Sequence, residues 1–203
     1  MEIYLIRHTT PLVPYGTCYG QSDLNVTDSF EEEASAIAQH LPQGITRVHS
    51  SPLQRCYKLA QFLFPTHDIQ QHTNFKEINC GDWEGKLWND IPRHISDPWM
   101  EDFVNNHFPN GENYVQLFHR VATQFNDVVA ATTVPPIAIV SHGGVMRCIL
   151  AAITNTPLKD SFAAFRLHYG AVVKLTANDN NSFDWHILHN DSSRTPEVHR
   201  PTR

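Results

Sequence analysis

Paired cysteines are missing from this 203-residue chain. Its four cysteines, Cys18, Cys56, Cys80 and Cys148, show no C-x-x-C spacing. That usage suits a reducing cytoplasm and offers neither a disulfide framework nor a zinc site. Long apolar runs are missing too: no stretch approaches the roughly 18 residues of a membrane span. The first apolar run meets Arg7 after four residues, too short for a secretory signal. No basic run offsets the net charge of −6, which argues against nucleic acid as a partner. There is no H-E-x-x-H motif, and His186-x-x-His189 lies in a strand-like segment where that spacing points the two rings to opposite faces. No metal and no cofactor are expected.

What remains describes a soluble globular protein. A mass of 23.1 kDa with 41% apolar and 18% charged residues predicts one domain, over residues 1–190, followed by a loose polar tail at 191–203. Apolar stripes at helical spacing run through Phe30, Ala34, Ile37, Ala38 and Leu41, behind Thr27 and Asp28, and through Leu53, Cys56, Ala60, Leu63 and Phe64. The longest stripe covers Glu112 to about Ala131, with Tyr114, Phe118, Val121, Phe125 and Val128 on one face. Strand-like runs at Ile3–Ile6, Ile45–His49, Ile69–Thr73, Ile137–Val140, Ala171–Thr176 and Phe183–Leu188 alternate with these helices. The pattern predicts an α/β three-layer sandwich, a mostly parallel sheet with helices on both faces. Residues 86–110, with Pro92, Pro98 and Pro109, read as an irregular excursion.

Two strand exits carry unusual residues. Ile3-Tyr4-Leu5-Ile6 ends in Arg7-His8, and Ile137–Val140 ends in Ser141-His142-Gly143-Gly144. The carboxyl ends of strands are where an open α/β sheet keeps its chemistry. Among 13 histidines some follow apolar runs by chance, but Gly143-Gly144 lets backbone N–H groups approach a ligand, and the helical run from Val145 to Ile153 adds its positive end. A third exit, Ser50-Ser51-Pro52-Leu53-Gln54-Arg55, reads as a helix start with Ser51 as N-cap and Pro52 in the first turn. A cation there opposes the helix dipole, so Arg55 makes sense if it meets an anion. Two guanidinium forks, Arg7 and Arg55, match phosphate oxygens. A neutral imidazole is a capable nucleophile near pH 7, and a leaving alkoxide needs a carboxylic acid. Residues 75–85 hold three carboxylates, Glu77, Asp82 and Glu84, and local sequence does not choose between Glu77 and Glu84.

The four segments, LIRHTT at 5–10, SSPLQR at 50–55, FKEINCGDWEG at 75–85 and SHGG at 141–144, together resemble the histidine phosphatase superfamily, the group that includes cofactor-dependent phosphoglycerate mutases. The resemblance covers residues 1 to about 176. It implies that His8 becomes phosphorylated, that Arg7 and Arg55 bind the phosphoryl oxygens, that His142 completes the pocket and that Glu77 is the proton donor, with Glu84 structural. Three positions depart from the family pattern: Thr9 follows the first histidine where many members have Gly, Pro14 stands where mutases place an asparagine, and Asn113 replaces the serine of a Gly-Glu-Ser loop. Asn113 can still cap a helix.

Residues 16–24, GTCYGQSDL, resemble the segment after the nucleophile in α-ribazole phosphatases, which dephosphorylate a nucleotide-loop precursor of cobalamin. That resemblance implies substrate contacts at Gly20 and Gln21, beside Arg7, Arg55, His142 and Gly143. A mutase would want further cations for a second anionic group, whereas residues 77–110 offer only Lys86 and Arg93. The expectation is a cytoplasmic, metal-independent phosphomonoesterase working on a small phosphate monoester with a mostly uncharged remainder, with a homodimer admitted. Tyr19, Trp83 and Trp88 are candidate walls for the base. The alternatives are a broad-specificity phosphatase of small metabolites, a phosphoglycerate mutase and a non-catalytic phospho-ligand-binding protein.

Overall fold

The computed structural model describes residues 1–179 and 182–194. Its centre is a six-stranded sheet of β1 (Glu2–Arg7), β2 (Arg47–Ser50), β3 (Ile69–Gln71), β4 (Ile137–Ser141), β5 (Val172–Ala177) and β6 (Phe183–His189) in the order β3-β2-β4-β1-β5-β6. The first four run parallel, and β5 and β6 add an antiparallel edge. The near-continuous apolar runs of β1 and β4 are those of strands covered on both sides. Alternate residues serve opposite faces. Ile3, Leu5, Ile137 and Ile139 pack with helices α4 (Tyr114–Ala131) and α5 (Gly143–Thr154). Tyr4, Ile6, Ala138 and Val140 pack with α1 (Phe30–Ala38) and α2 (Gln54–Leu63). The architecture is therefore the α/β three-layer sandwich read from the sequence.

Register is what assembles the exits. Arg7 lies opposite Ser141 on one side of β4, and Ser50 opposite Val140 on the other. His8, His142 and Ser51 therefore leave adjacent strands at one level, and the His8 N–H donates to the Ser141 carbonyl at 3.0 Å. The segment after β1 leads to the α1 face and the segment after β4 to the α5 face. A crevice opens between them, as at a topological switch point.

Three local expectations are corrected. Helix α2 begins at Gln54 rather than Pro52, and Leu53, not Ser51, is its cap residue. The Asp23 carboxylate accepts the Gln54 N–H at 2.7 Å, which satisfies the helix end from a distant loop and releases Ser51 for another partner. Helix α4 begins at Tyr114, two residues after Glu112, because Asn113 forms a capping box with Gln116. The stretch 86–110 contains a real helix, α3 (Arg93–Glu101), with Pro98 inside it. Pro98 forfeits the bond to the His94 carbonyl, so propensity alone would not form this helix. Packing does: the Trp99 ring lies 4.5 Å from Phe108, 5.6 Å from Trp83 and 5.7 Å from Trp88.

Residues 195–203 of the expected tail, and Asn180-Asn181 of the turn before β6, lie outside the described residues. Residues 191–194 are docked, with Arg194 reaching Glu32 at 2.6 Å. Among the described residues no helix is long and apolar enough to cross a membrane.

Candidate active site

His8 is 2% exposed, and its Nδ1 lies 2.7 Å from the Thr9 carbonyl. A carbonyl can only accept, so Nδ1 carries a proton, and in the neutral ring the lone pair is on Nε2. The His142 ring stands edge-on to His8 with centroids 5.1 Å apart. His142 is the cap residue of α5 and fully buried. Its Nε2 lies 2.8 Å from the Ser51 hydroxyl and 3.4 Å from the Cys56 sulfur. Burial first, then the charges of Arg55, His8 and Arg7, hold its pKa well below the ordinary value. Burial also pushes the Cys56 thiol up to about 12.

The two arginines flank this pair. Arg7 stacks over Tyr169, 4.3 Å from its centroid, and donates Nη1 to the Leu167 carbonyl. Arg55 is fully buried and donates to the carbonyls of Ser22 (2.8 Å) and Gly20 (2.6 Å). The Nε of each is buried with no hydrogen-bond partner among the described residues. Among the described residues neither has a carboxylate within ion-pair distance. Buried cations met by carbonyls and aromatic faces but by no carboxylate make a receptor for an anion.

The structure separates the two glutamates that local sequence left open. Glu77 Oε2 accepts the Gly144 N–H at 2.9 Å and Oε1 accepts the Ile78 N–H at 3.0 Å, which puts the carboxylate on the first turn of α5. Glu84 points the other way. It accepts the N–H groups of Gly20, Gln21, Ser22 and Cys80 and the Ser22 hydroxyl. Burial raises its pKa, but these donors outweigh that and hold it below the carboxylate range. Glu84 is the peg on which the 20–22 loop hangs, and that loop in turn holds Arg55.

Gly20 and Gln21 consequently have another place than substrate contact. Their N–H groups bind Glu84, and the Gln21 amide donates to the Glu77 carbonyl at 3.1 Å. Neither lines the cleft. Gly143 does, with Arg7, His8, Glu77 and Gly144, at the floor of a cavity of about 1060 Å³. Of the aromatic candidates, Tyr19 and Trp88 line it; Trp83 packs behind, edge-on to Trp88.

Several contributors carry no sequence motif. Tyr169 and the Leu167 carbonyl orient Arg7 from a loop before β5. Arg120, on the polar side of α4, donates to the carbonyls of Asn74, Lys76 and Glu77 and pairs with Glu112 at 2.7 Å, clamping the Glu77 loop from behind. The largest correction concerns charge. Lys86 and Arg93 do not reach the cleft, but Arg147, Lys159 and Arg166 do. The cations come from α5 and the segment after it, not from the 77–110 stretch.

This geometry has relatives. Over 187 residues the chain is 28% identical to a 6-phosphofructo-2-kinase/fructose-2,6-bisphosphatase of Caenorhabditis elegans; the match takes 83% of this chain but spans 40% of that longer protein. Over 179 residues it is 26% identical to an adenosylcobalamin/alpha-ribazole phosphatase of Salmonella typhimurium, covering 84% of this chain and 87% of the relative. The alpha-ribazole phosphatase structure from Shigella flexneri superposes with a TM-score of 0.83 over 98% of this chain and 99% of its own, at 22% identity, a likeness of fold. Residues 3–190 match the Histidine phosphatase superfamily (branch 1), and the chain belongs to that superfamily.

Proposed function

We propose that the protein is a metal-independent phosphomonoesterase that works through phospho-His8. One observation carries the reading. An imidazole whose Nδ1 meets the Thr9 carbonyl shares the cleft with Arg7, Gly143 and Glu77 and stands edge-on to His142, which lies buried behind it in the field of Arg55 and Arg7. Nε2 of His8 attacks phosphorus, and the bond from phosphorus to the ester oxygen breaks. Glu77 gives its proton to the departing alkoxide. The guanidinium groups and the positive end of the α5 dipole balance charge on the equatorial oxygens. Water then attacks phospho-His8 while Glu77 takes back a proton, releasing orthophosphate and free His8.

The proposed substrate is α-ribazole 5′-phosphate. The 16–24 segment, the Salmonella relative and the aromatic lining at Tyr19, Trp88, Trp99 and Phe108 support it. Such a role places the protein in the cytoplasm, in agreement with its scattered cysteines. The test compares phosphate release from α-ribazole 5′-phosphate, other nucleoside 5′-monophosphates and 3-phosphoglycerate, with mutase activity measured alongside. Preference for the first supports the assignment. Equal hydrolysis of all monoesters removes the cobalamin role and keeps the phosphatase. Isomerisation with little phosphate released overturns the hydrolase.

A further inference from the structure

A phosphate receptor needs its guanidinium groups held still, and fixing an arginine side chain costs rotamer freedom. Arg7 is held by the loop between the short helix Ser161–Ala164 and β5. Within that loop Leu167 supplies the carbonyl, and Tyr169 the ring, against which the guanidinium rests. The far end of the loop is tied to the nucleophile strand. There the Gly170 N–H donates to the His8 carbonyl at 3.1 Å, and the Arg7 N–H to the Ala171 carbonyl at 2.9 Å. In the middle of the loop a side chain does what a neighbouring strand would do. Asn190, the residue after β6, donates from Nδ2 to the Arg166 carbonyl and accepts the His168 N–H on Oδ1, each at 2.8 Å. One amide thus brackets Leu167. This is the pattern of an extended chain, in which a carbonyl and the N–H two residues on share one edge and the carbonyl between them faces the other. Asn190 therefore grips the edge of the loop opposite the one that Arg7 uses. It is itself placed from both sides. His189 pairs with Val172 in the sheet; beyond it Asp191 accepts the Ser193 N–H at 2.9 Å, and Arg194 reaches Glu32 at 2.6 Å.

We propose that Asn190 is a positioning residue for the phosphoryl group: its amide fixes the Leu167 carbonyl and, through it, the direction of the Arg7 guanidinium. This rests on the reading of Arg7 as a phosphoryl ligand and deepens it. Asn190 acts on the substrate only through Leu167 and Arg7, so its effect disappears when Arg7 is gone. An amide that merely satisfied two backbone groups of a half-buried loop would add the same cost whether or not Arg7 were present.

A double-mutant cycle in the full-length protein tests it. Asn190→Ala should lower kcat/KM about tenfold or more, yet by less than the roughly 10²–10³ expected of Arg7→Ala, since Arg7 is loosened rather than lost. All monoesters present the same phosphoryl oxygens, so glycerol 3-phosphate and p-nitrophenyl phosphate should suffer alike, which separates this effect from a displaced Glu77. In Arg7→Ala protein the same substitution should cost less than about twofold, and in Arg55→Ala protein it should keep its full cost. Asn190→Asp keeps the acceptor for the His168 N–H and gives up the donor. Its cost should be intermediate, and it carries the cycle if Asn190→Ala fails to fold. Shifts in Tm with added inorganic phosphate read the same coupling without turnover. Coupling in phosphate binding, in a protein that releases no phosphate from esters, would sink the hydrolase and leave Asn190 in its role. Equal cost with and without Arg7, a cost confined to one of the two esters, or no cost at all would overturn the proposal.

Discussion

Gly144→Ala is the sharpest perturbation the site offers. A Cβ at Gly144 would fall 2.2 Å from Glu77 Oε1, 3.0 Å from its carboxyl carbon and 3.2 Å from Oε2. Ordinary contact requires the near oxygen to retreat by about 1 Å, and a misplacement of that size in a reacting group costs on the order of 10²-fold. The Glu77 backbone cannot follow, since Gln21 and Arg120 both grip its carbonyl. The fold should hardly notice: Gly144 lies in a helix, where Ala is favoured by up to ~1 kcal/mol over Gly. The assay is kcat on an alkyl phosphate and on p-nitrophenyl phosphate, with thermal unfolding as control. An alkoxide needs the proton that Glu77 supplies and a nitrophenolate does not. The expected result is a loss of about 10²-fold or more on the alkyl ester, little on the aryl ester and an unchanged Tm. Equal losses on both esters, or none on either, would refute the placement of Glu77 as proton donor.

Other outcomes follow from the same contacts. Rapid quenching should trap phosphate on His8 as an acid-labile, base-stable adduct, absent in His8→Ala; acid-stable labelling elsewhere would end the mechanism. Arg7→Ala should lower kcat by about 10²–10³-fold, as loss of an oxyanion donor does, and activity should persist in a strong chelator. Glu84→Gln should lower activity through Arg55, because the 20–22 loop loses its peg; a crystal structure of the variant with that loop unmoved would contradict this. Stability should fall with pH through His49, whose pKa is lowered to about 4 by burial, then by His72 and Arg47. Between about 6.5 and 4 the unfolded chain binds the proton and the folded one does not, so stability is full above this window and declines within it. Urea midpoints should show that slope, and His49→Asn should make it shallower without abolishing it, because His142 is also lowered and contributes in the same sense.

The sequence was most legible where a side chain's role is written into its neighbours. Arg7-His8 and Ser141-His142 are strand exits, and the strand register makes exits adjacent without further information. The three layers were equally plain, because alternate residues of β1 and β4 must be apolar on both faces. Legibility failed where partners are distant in the chain. Asp23 caps α2 from a loop 31 residues away, so local cap chemistry pointed to Ser51. Helix α3 survives its proline through tryptophan packing that no propensity describes. Arg147, Lys159 and Arg166 follow the last motif, and nothing local distinguishes them from solvated surface charges. Gly20 and Gln21 were visible as a turn, yet only the Glu84 carboxylate reveals what the turn holds.

Arg55 has a consequence for how this protein balances endurance against work. A guanidinium fully enclosed and answered by two carbonyls and the Tyr19 ring, with no carboxylate beside it among the described residues, is a poor choice for a fold selected on robustness alone. Replacing it by a similarly long apolar residue such as methionine would be expected to raise the unfolding temperature while abolishing turnover. The same logic makes the substrate's phosphate a folding ligand. An anion at one hundred times its dissociation constant adds about 2.7 kcal/mol to stability, so a protein working near saturation is held together in part by what it consumes. Starved of phosphate esters, it should be the more readily unfolded and the more readily degraded.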